Sequence, residues 1–191
     1  MVNKKFGIFG GLFDPPHIGH LIIAQSVLEE FLLDRVIFVP AGNPPHKIKY
    51  SPYDTRYTMT RLAVKNNEKL GISNIEKGIK GKTYTIEVIR KLKGKIKGKL
   101  YFIIGSDQWL EITTWKTPQA LFKECIIIVV PRLDHKIKKM DRFAKKILMS
   151  HMPLLDISST QIRKKVKQNQ NIQYLVPLEV HRYIKRKGLY K

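Results

Sequence analysis

Cysteine is almost missing from this chain. Cys125 is the single one in 191 residues, which excludes an internal disulfide framework and a cysteine-built zinc site. Set in an apolar run, it reads as a small buried hydrophobe. Long apolar stretches are missing too, since the run at residues 125–131 falls far short of the ~20 residues that a membrane-crossing helix requires. The N-terminal stretch reaches Asp14 too early for the apolar core of a secretory leader, and no small-residue cleavage site follows. No membrane association is expected, and a reducing cytoplasm is the expected setting. Acidic side chains are scarce: 15 Asp and Glu stand against 36 Lys and Arg, a formal net charge of +21.

Such an excess of positive charge attracts polyanions, nucleic acid among them. However, Lys outnumbers Arg 27 to 9, whereas readers of phosphate and base edges depend on the planar fork of Arg. With 43% hydrophobic residues the chain has enough apolar material for one folded domain, so its charge does not imply disorder.

Short apolar runs alternate with amphipathic segments. Residues 6–9, 36–39, 72–75, 100–104 and Ile126–Val130 read as strands, with 154–157 a candidate sixth, and several are apolar on both faces as in a covered parallel sheet. Residues 18–33, 52–70, 85–92, 118–123 and 140–149 have helical spacing. This order predicts an α/β, doubly wound, mostly parallel sheet. It is read as a single domain over residues 1–191, with 158–191 a helical portion packed on it. Ser51 before Pro52, Thr117 before Pro118, and Ser158 with Gln161 three residues on are helix-start signals. A last helix runs from Pro177 to a stop at Gly188. Residues 77–99 hold nine basic residues and four glycines. With Tyr84 as the one ring there, this stretch reads better as a solvated face than as a nucleic-acid platform.

The chemistry points to residues 10–20, Gly-Gly-Leu-Phe-Asp-Pro-Pro-His-Ile-Gly-His, which follow the first strand and open the first helix. Ligands of open α/β sheets bind at such strand ends. Glycine permits close backbone approach, and free N–H groups at a helix start suit phosphate. His17 and His20 fall on one face of the first turn. Taken alone they could equally be metal ligands or structural histidines. A second strand-to-helix element, Ile157-Ser158-Ser159-Thr160-Gln161-Ile162-Arg163, adds a hydroxyl pair and an arginine at another helix start. Capping explains Ser158 and Gln161 but not the other polar groups.

These two elements, in this order and near opposite ends of the chain, resemble the nucleotidyltransferase superfamily. More narrowly, the chain resembles the bacterial nicotinate mononucleotide adenylyltransferases, through GGLFDPPHIGH at 10–20, VPAGNPPHK at 39–47, Asp54 with Arg56, KTYTIEVIRKL at 82–92, FIIGSDQW at 102–109, TTWK at 113–116, VPR at 130–132, ISSTQIR, and YLVP followed by VHRYIKRKGLY. The resemblance implies a Rossmann-like nucleotidyltransferase fold with C-terminal helices. It also implies transfer of AMP from ATP to nicotinate mononucleotide, giving nicotinate adenine dinucleotide and pyrophosphate, a step in NAD biosynthesis, with Mg2+ accompanying ATP and no metal held by the protein.

By the same resemblance, His17 and His20 are the catalytic pair, with Gly10, Gly11, Leu12 and Phe13 at the nucleotide crevice. Relatives usually carry Ser or Thr where Leu12 stands. Ser159, Thr160 and Arg163 would hold the β- and γ-phosphates, while Gly105 and Asp107 would meet the ATP ribose and adenine; Asp107 could equally cap a short helix over residues 108–112. Trp115 would stack on the nicotinate ring, with Thr85 and the Lys116 backbone near its carboxylate. His46, Lys47 and Arg132 would face the mononucleotide phosphate. Tyr183 and Tyr190 are read as packing residues.

The expected partners are small nucleotides, without a specific nucleic acid, in a monomer or small homo-oligomer. A phosphopantetheine-type adenylyltransferase is a close alternative, although it lacks PPHK and TTWK. An RNA-binding protein or a fragment of a class I aminoacyl-tRNA synthetase is a more distant one. A synthetase would carry a lysine-rich loop where ISSTQIR stands, and its tRNA-reading domains would need a longer chain.

Overall fold

The computed structural model describes residues 4–44, 49–132, 147–153 and 155–191. Six strands form one parallel sheet: β1 (Lys5–Gly11), β2 (Arg35–Pro40), β3 (Leu70–Ile72), β4 (Lys99–Gly105), β5 (Ile126–Val130) and β6 (Ile147–Met149). Their spatial order is β3-β2-β1-β4-β5-β6, the doubly wound arrangement in which the chain reverses direction across the sheet between β1 and β4. That reversal opens a crevice at the carboxyl ends of the two strands.

Strand alternation divides the core between the two faces. Along β4, Phe102 and Ile104 join the cluster under α3 (Thr85–Lys93) and α5 (Pro118–Glu124), whose Ile86, Ile89, Leu121 and Phe122 are buried. Tyr101 and Ile103 point the other way, toward Ala24, Val27 and Leu28 of α1 (Ile18–Glu30). This explains why Ile126–Val130 is apolar throughout: both faces are covered. A third cluster unites Met59 of α2 (Tyr53–Val64) with Ile162 of α6 (Ser159–Lys167) and Val180 and Ile184 of α7 (Leu178–Lys187). A short α4 (Ser106–Leu110) and a 3-10 turn, Ile112–Thr114, follow β4.

Several boundaries differ from the sequence reading. Strand β3 ends at Ile72, because a turn closed by Lys77 N–H on Asn74 O takes over from there. Residues 147–149, expected at the end of a helix, pair with β5 instead; an apolar run this short looks alike in either setting. The rest of that expected helix lies outside the described residues, and the candidate strand at 154–157 has no strand over 155–157. Helix α2 stops at Val64, short of residue 70, where Asn67 N–H turns back to Val64 O. Helix α1 stops before residue 33 because Leu32 takes a left-handed conformation and Leu33 N–H bonds Leu28 O. The short helix expected over 108–112 begins instead at Ser106 behind Gly105.

Three start and stop signals hold. Thr117 occupies the N-cap position of α5, left-handed and without a side-chain cap hydrogen bond, with Pro118 in the first turn, Ser158 and Gln161 form a reciprocal capping box, and Gly188 ends α7 in the left-handed conformation. Ser51 does not cap α2, because Asp14 accepts its N–H and Arg56 takes its carbonyl.

Candidate active site

Strand β1 delivers its last residues into the crevice, and the segment that follows is held by contacts from distant parts of the chain. Gly11 allows the Phe13 ring to fold back over the backbone, since a Cβ there would lie 3.0 Å from it. Phe13 itself is buried with φ +52, a left-handed conformation that residues with side chains seldom adopt. His17 then serves as N-cap of α1 in an extended conformation. Its N–H donates to Nδ1 of His20 at 3.1 Å, and the two rings stack with centroids 3.6 Å apart. Gly19 lies against the His17 ring, where a Cβ would meet Nδ1 at 3.1 Å. The rings of Phe9 and Phe13 flank His20 at 5.9 and 5.0 Å.

These surroundings set the protonation of the pair. Burial, and next the charge of Arg132, pull the His17 pKa from 6.5 down to about 4. Burial, His17 and Arg132, in that order, hold His20 well below the usual histidine range. Because His20 Nδ1 accepts the His17 N–H, its proton resides on Nε2. Neutral His20 is therefore a hydrogen-bond donor through Nε2. His17 Nδ1 is buried with no partner among the described residues.

The second motif element is fastened to the same segment. Ser159 Oγ donates to Pro15 O at 2.8 Å, Arg163 Nη1 donates to Asp14 O at 2.8 Å, and Arg163 Nη2 donates to Thr160 Oγ1 at 3.2 Å. The N–H of Ile18 in the first turn of α1 is taken by Leu175 O. At the end of β4, Gly105 makes room for Asp107, whose Oδ1 a Cβ there would strike. Asp107 Oδ2 pairs with Arg132 Nη1 at 3.1 Å, and Arg132 N–H bonds Ser106 Oγ. Gly105, not Asp107, is the cap of α4. Arg132 thus pairs with Asp107 while its charge acts on both histidines.

On the other side of the sheet, Thr85 begins α3 and Trp115 follows the 3-10 turn. Half-buried Trp115 packs edge-on to Phe102 at 6.3 Å. Lys116 Nζ reaches back to Glu87 at 2.7 Å and lies 4.2 Å from the Tyr84 ring, joining this loop to the start of α3. His46 and Lys47 lie outside the described residues.

Residues 8–165 match the family described as cytidylyltransferase-like. The chain belongs to that family. A "Probable nicotinate-nucleotide adenylyltransferase" of Thermoanaerobacter sp. (strain X514) is 45% identical to it over 200 residues, 98% of this chain and 94% of the relative. Another of the same name, from Clostridium tetani (strain Massachusetts / E88), is 41% identical over 98% of this chain and all of its own length. In fold, the chain is similar to the structure "Plasmodium falciparum nicotinic acid mononucleotide adenylyltransferase complexed with NaAD", with a TM-score of 0.82 and 22% identity over 98% of this chain and 97% of that one.

The cytidylyltransferase-like site also rests on residues to which the sequence reading gave no role. Arg56 is fully buried and donates to Ser51 O at 2.8 Å and Leu12 O at 3.0 Å, with Gly42 O at 3.5 Å. Asp14 is buried and accepts from Ser51 N–H and from the Tyr190 hydroxyl. Tyr190, read as a packing residue, thus makes a polar contact with the loop before the histidines. An arginine beginning a mixed helix carries no mark of burial in sequence, and only the folded chain brings Tyr190 to Asp14.

Proposed function

We infer that this chain is a nicotinate-nucleotide adenylyltransferase, transferring AMP from ATP to nicotinate mononucleotide and releasing pyrophosphate. The observation that carries this reading is the stacked pair His17 and His20 at the start of α1, just after a loop that Ser159 and Arg163 hold in place. The nucleophile is a phosphate oxygen of the mononucleotide, already an anion, so no side chain has to remove a proton to create it. What the reaction requires is that two anionic substrates be brought together and that charge gathering on the α-phosphate and the leaving pyrophosphate be met by fixed donors.

The side chains divide this work. His20 offers its Nε2 hydrogen at the α-phosphate, and as a neutral donor it stabilises charge without giving up its proton. His17 shares the turn and contacts the neighbouring phosphate. Arg163, with Ser159 and Thr160 beside it, holds the β- and γ-phosphates; two of its N–H groups are engaged within the protein, and others of its five remain for ligand. Gly10, Gly11, Leu12 and Phe13 present backbone to the nucleotide, and Gly105 and Asp107 meet its ribose and adenine. Arg132 bridges toward the mononucleotide phosphate, a role the family resemblance assigns to His46 and Lys47 as well. Trp115 stacks on the pyridine ring, with Thr85 and the Lys116 backbone at its carboxylate.

Among the described residues no three His, Cys, Asp or Glu side chains come together as a metal site. A magnesium ion carried on the triphosphate would neutralise phosphate charge there. Among the described residues no helix is long and apolar enough to cross a membrane.

Pyrophosphate release tests the reading. With ATP, Mg2+ and nicotinate mononucleotide the protein should release pyrophosphate and form the dinucleotide. Release with phosphopantetheine and not with the mononucleotide would replace this function by its nearest alternative.

A further inference from the structure

The Tyr190 hydroxyl donates to Asp14 Oδ1 at 2.6 Å and lies 3.8 Å from Met59 Sδ. Asp14 is buried, stands three positions before His17, and is shared among distant segments: its other carboxylate oxygen accepts Ser51 N–H at 3.0 Å, and its backbone carbonyl accepts from Arg163. The hydroxyl is a firm donor, because burial and then the hydrogen bond to Asp14 raise its pKa. Backbone strain lies at Tyr190 and at the residue next to Asp14. Tyr190 has φ +66, and Phe13, the neighbour of Asp14, has φ +52. Residues with side chains keep such angles only where surrounding contacts impose them. Ordinary packing of a tyrosine after a terminal helix requires neither a left-handed backbone nor a short bond to a buried carboxylate.

We propose that Tyr190 is a positioning residue for the adenylyl-transfer site, setting the Phe13–Asp14 backbone through its hydroxyl and thereby the register of the His17–His20 pair against the phosphates. Asp14 is the intermediary. Its carboxylate is gripped from two sides, Tyr190 and Ser51, so loss of one grip lets the segment rotate about the other. The ring of Tyr190 supplies packing, and the hydroxyl supplies aim.

The proposal rests on the adenylyltransferase reading, and its test separates the two. Tyr190→Phe keeps the ring and deletes the hydroxyl. In the full chain it should lower kcat about tenfold or more, with both KM values within about twofold, as a misplaced catalytic group does. Added to His20→Ala, the same change should cost less than about twofold in single turnover, because the group being positioned is already gone. An equal loss in both backgrounds, an unchanged kcat, or a kcat loss matched by a fall in thermal midpoint of more than about 5 °C would make Tyr190 merely structural and overturn the proposal. If the unaltered protein releases no pyrophosphate, the function reading fails, and the 15N resonances of the histidine rings decide the positioning role alone. Tyr190→Phe should then move the His20 Nδ1 and Nε2 signals, and unmoved signals refute it.

Discussion

The backbone N–H of His17 points at Nδ1 of His20, 3.1 Å away. One hydrogen bond therefore fixes the tautomer of the His20 ring, while burial is the first cause that keeps it uncharged. Protonation of His20 at Nδ1 would set two hydrogens against each other, which agrees with the downward direction of its pKa. In the proposed function the histidines thus act as neutral donors, and Arg132 and Arg163 supply positive charge.

The first expectation concerns pH. His17 has pKa 6.5 as an ordinary histidine and about 4 in the folded protein, so between these values the unfolded chain binds more protons and stability rises with pH. Its contribution is fully present above about pH 6.5 and is lost as the pH falls toward 4. Between pH 7.5 and 5 the unaltered protein should lose about 2 kcal/mol more unfolding free energy than His17→Asn, measured by urea denaturation. A ring resonance of His17 titrating near 6.5 would contradict this.

Removal of the proposed donor gives the second. His20→Ala should lower kcat about 100-fold or more, the usual effect of losing one fixed donor to developing charge, while the KM for ATP changes only a few-fold. Equal losses in kcat and in ATP affinity would make His20 a binding residue alone.

Gly19 supplies a third. Gly→Ala within a helix ordinarily stabilises by about 1 kcal/mol, but here the new methyl presses on His17 Nδ1. Gly19→Ala should therefore reduce kcat about tenfold with little change in thermal midpoint. The two effects run in opposite directions, which makes calorimetry beside kinetics the decisive pair.

Arg56 tests the scaffold. Replacement by Met would strip hydrogen bonds from the Ser51 and Leu12 carbonyls in a buried setting, at about 1–3 kcal/mol each. A destabilisation of about 2–6 kcal/mol is expected for Arg56→Met in urea unfolding, and a loss below about 1 kcal/mol would show that water reaches those carbonyls.

Trp115→Ala should raise the KM for nicotinate mononucleotide roughly 5- to 100-fold, the range expected for one lost ring-on-ring stack, and leave the KM for ATP nearly unchanged. A large ATP defect would remove Trp115 from the proposed subsite.

The sheet was legible in the sequence wherever strands are apolar on both faces, as at β1, β4 and β5. Where a strand is three residues long it was displaced, as at β3, read at 72–75, or missed, as at β6, because so short a run has no period. The two motif segments could be read as loops before helices, since glycine, proline and capping residues act locally. Asp14, Arg56 and Tyr190 could not be given roles, because each works through partners far away in the chain. The bond from Tyr190 to Asp14 spans 176 positions, and no local pattern records such a pairing.

That long reach bears on how the protein is made. Strands β1 to β5 can assemble on a growing chain once residue 130 has emerged. The loop before His17 meanwhile lacks Ser159, Arg163, Leu175 and Tyr190, each more than 140 positions later in synthesis. The nascent sheet should therefore form ahead of its site, with the most distant and slowest contacts closing last. A stalled translation product ending near residue 150 would be folded over much of its sheet and still lack the contacts that hold the loop before His17.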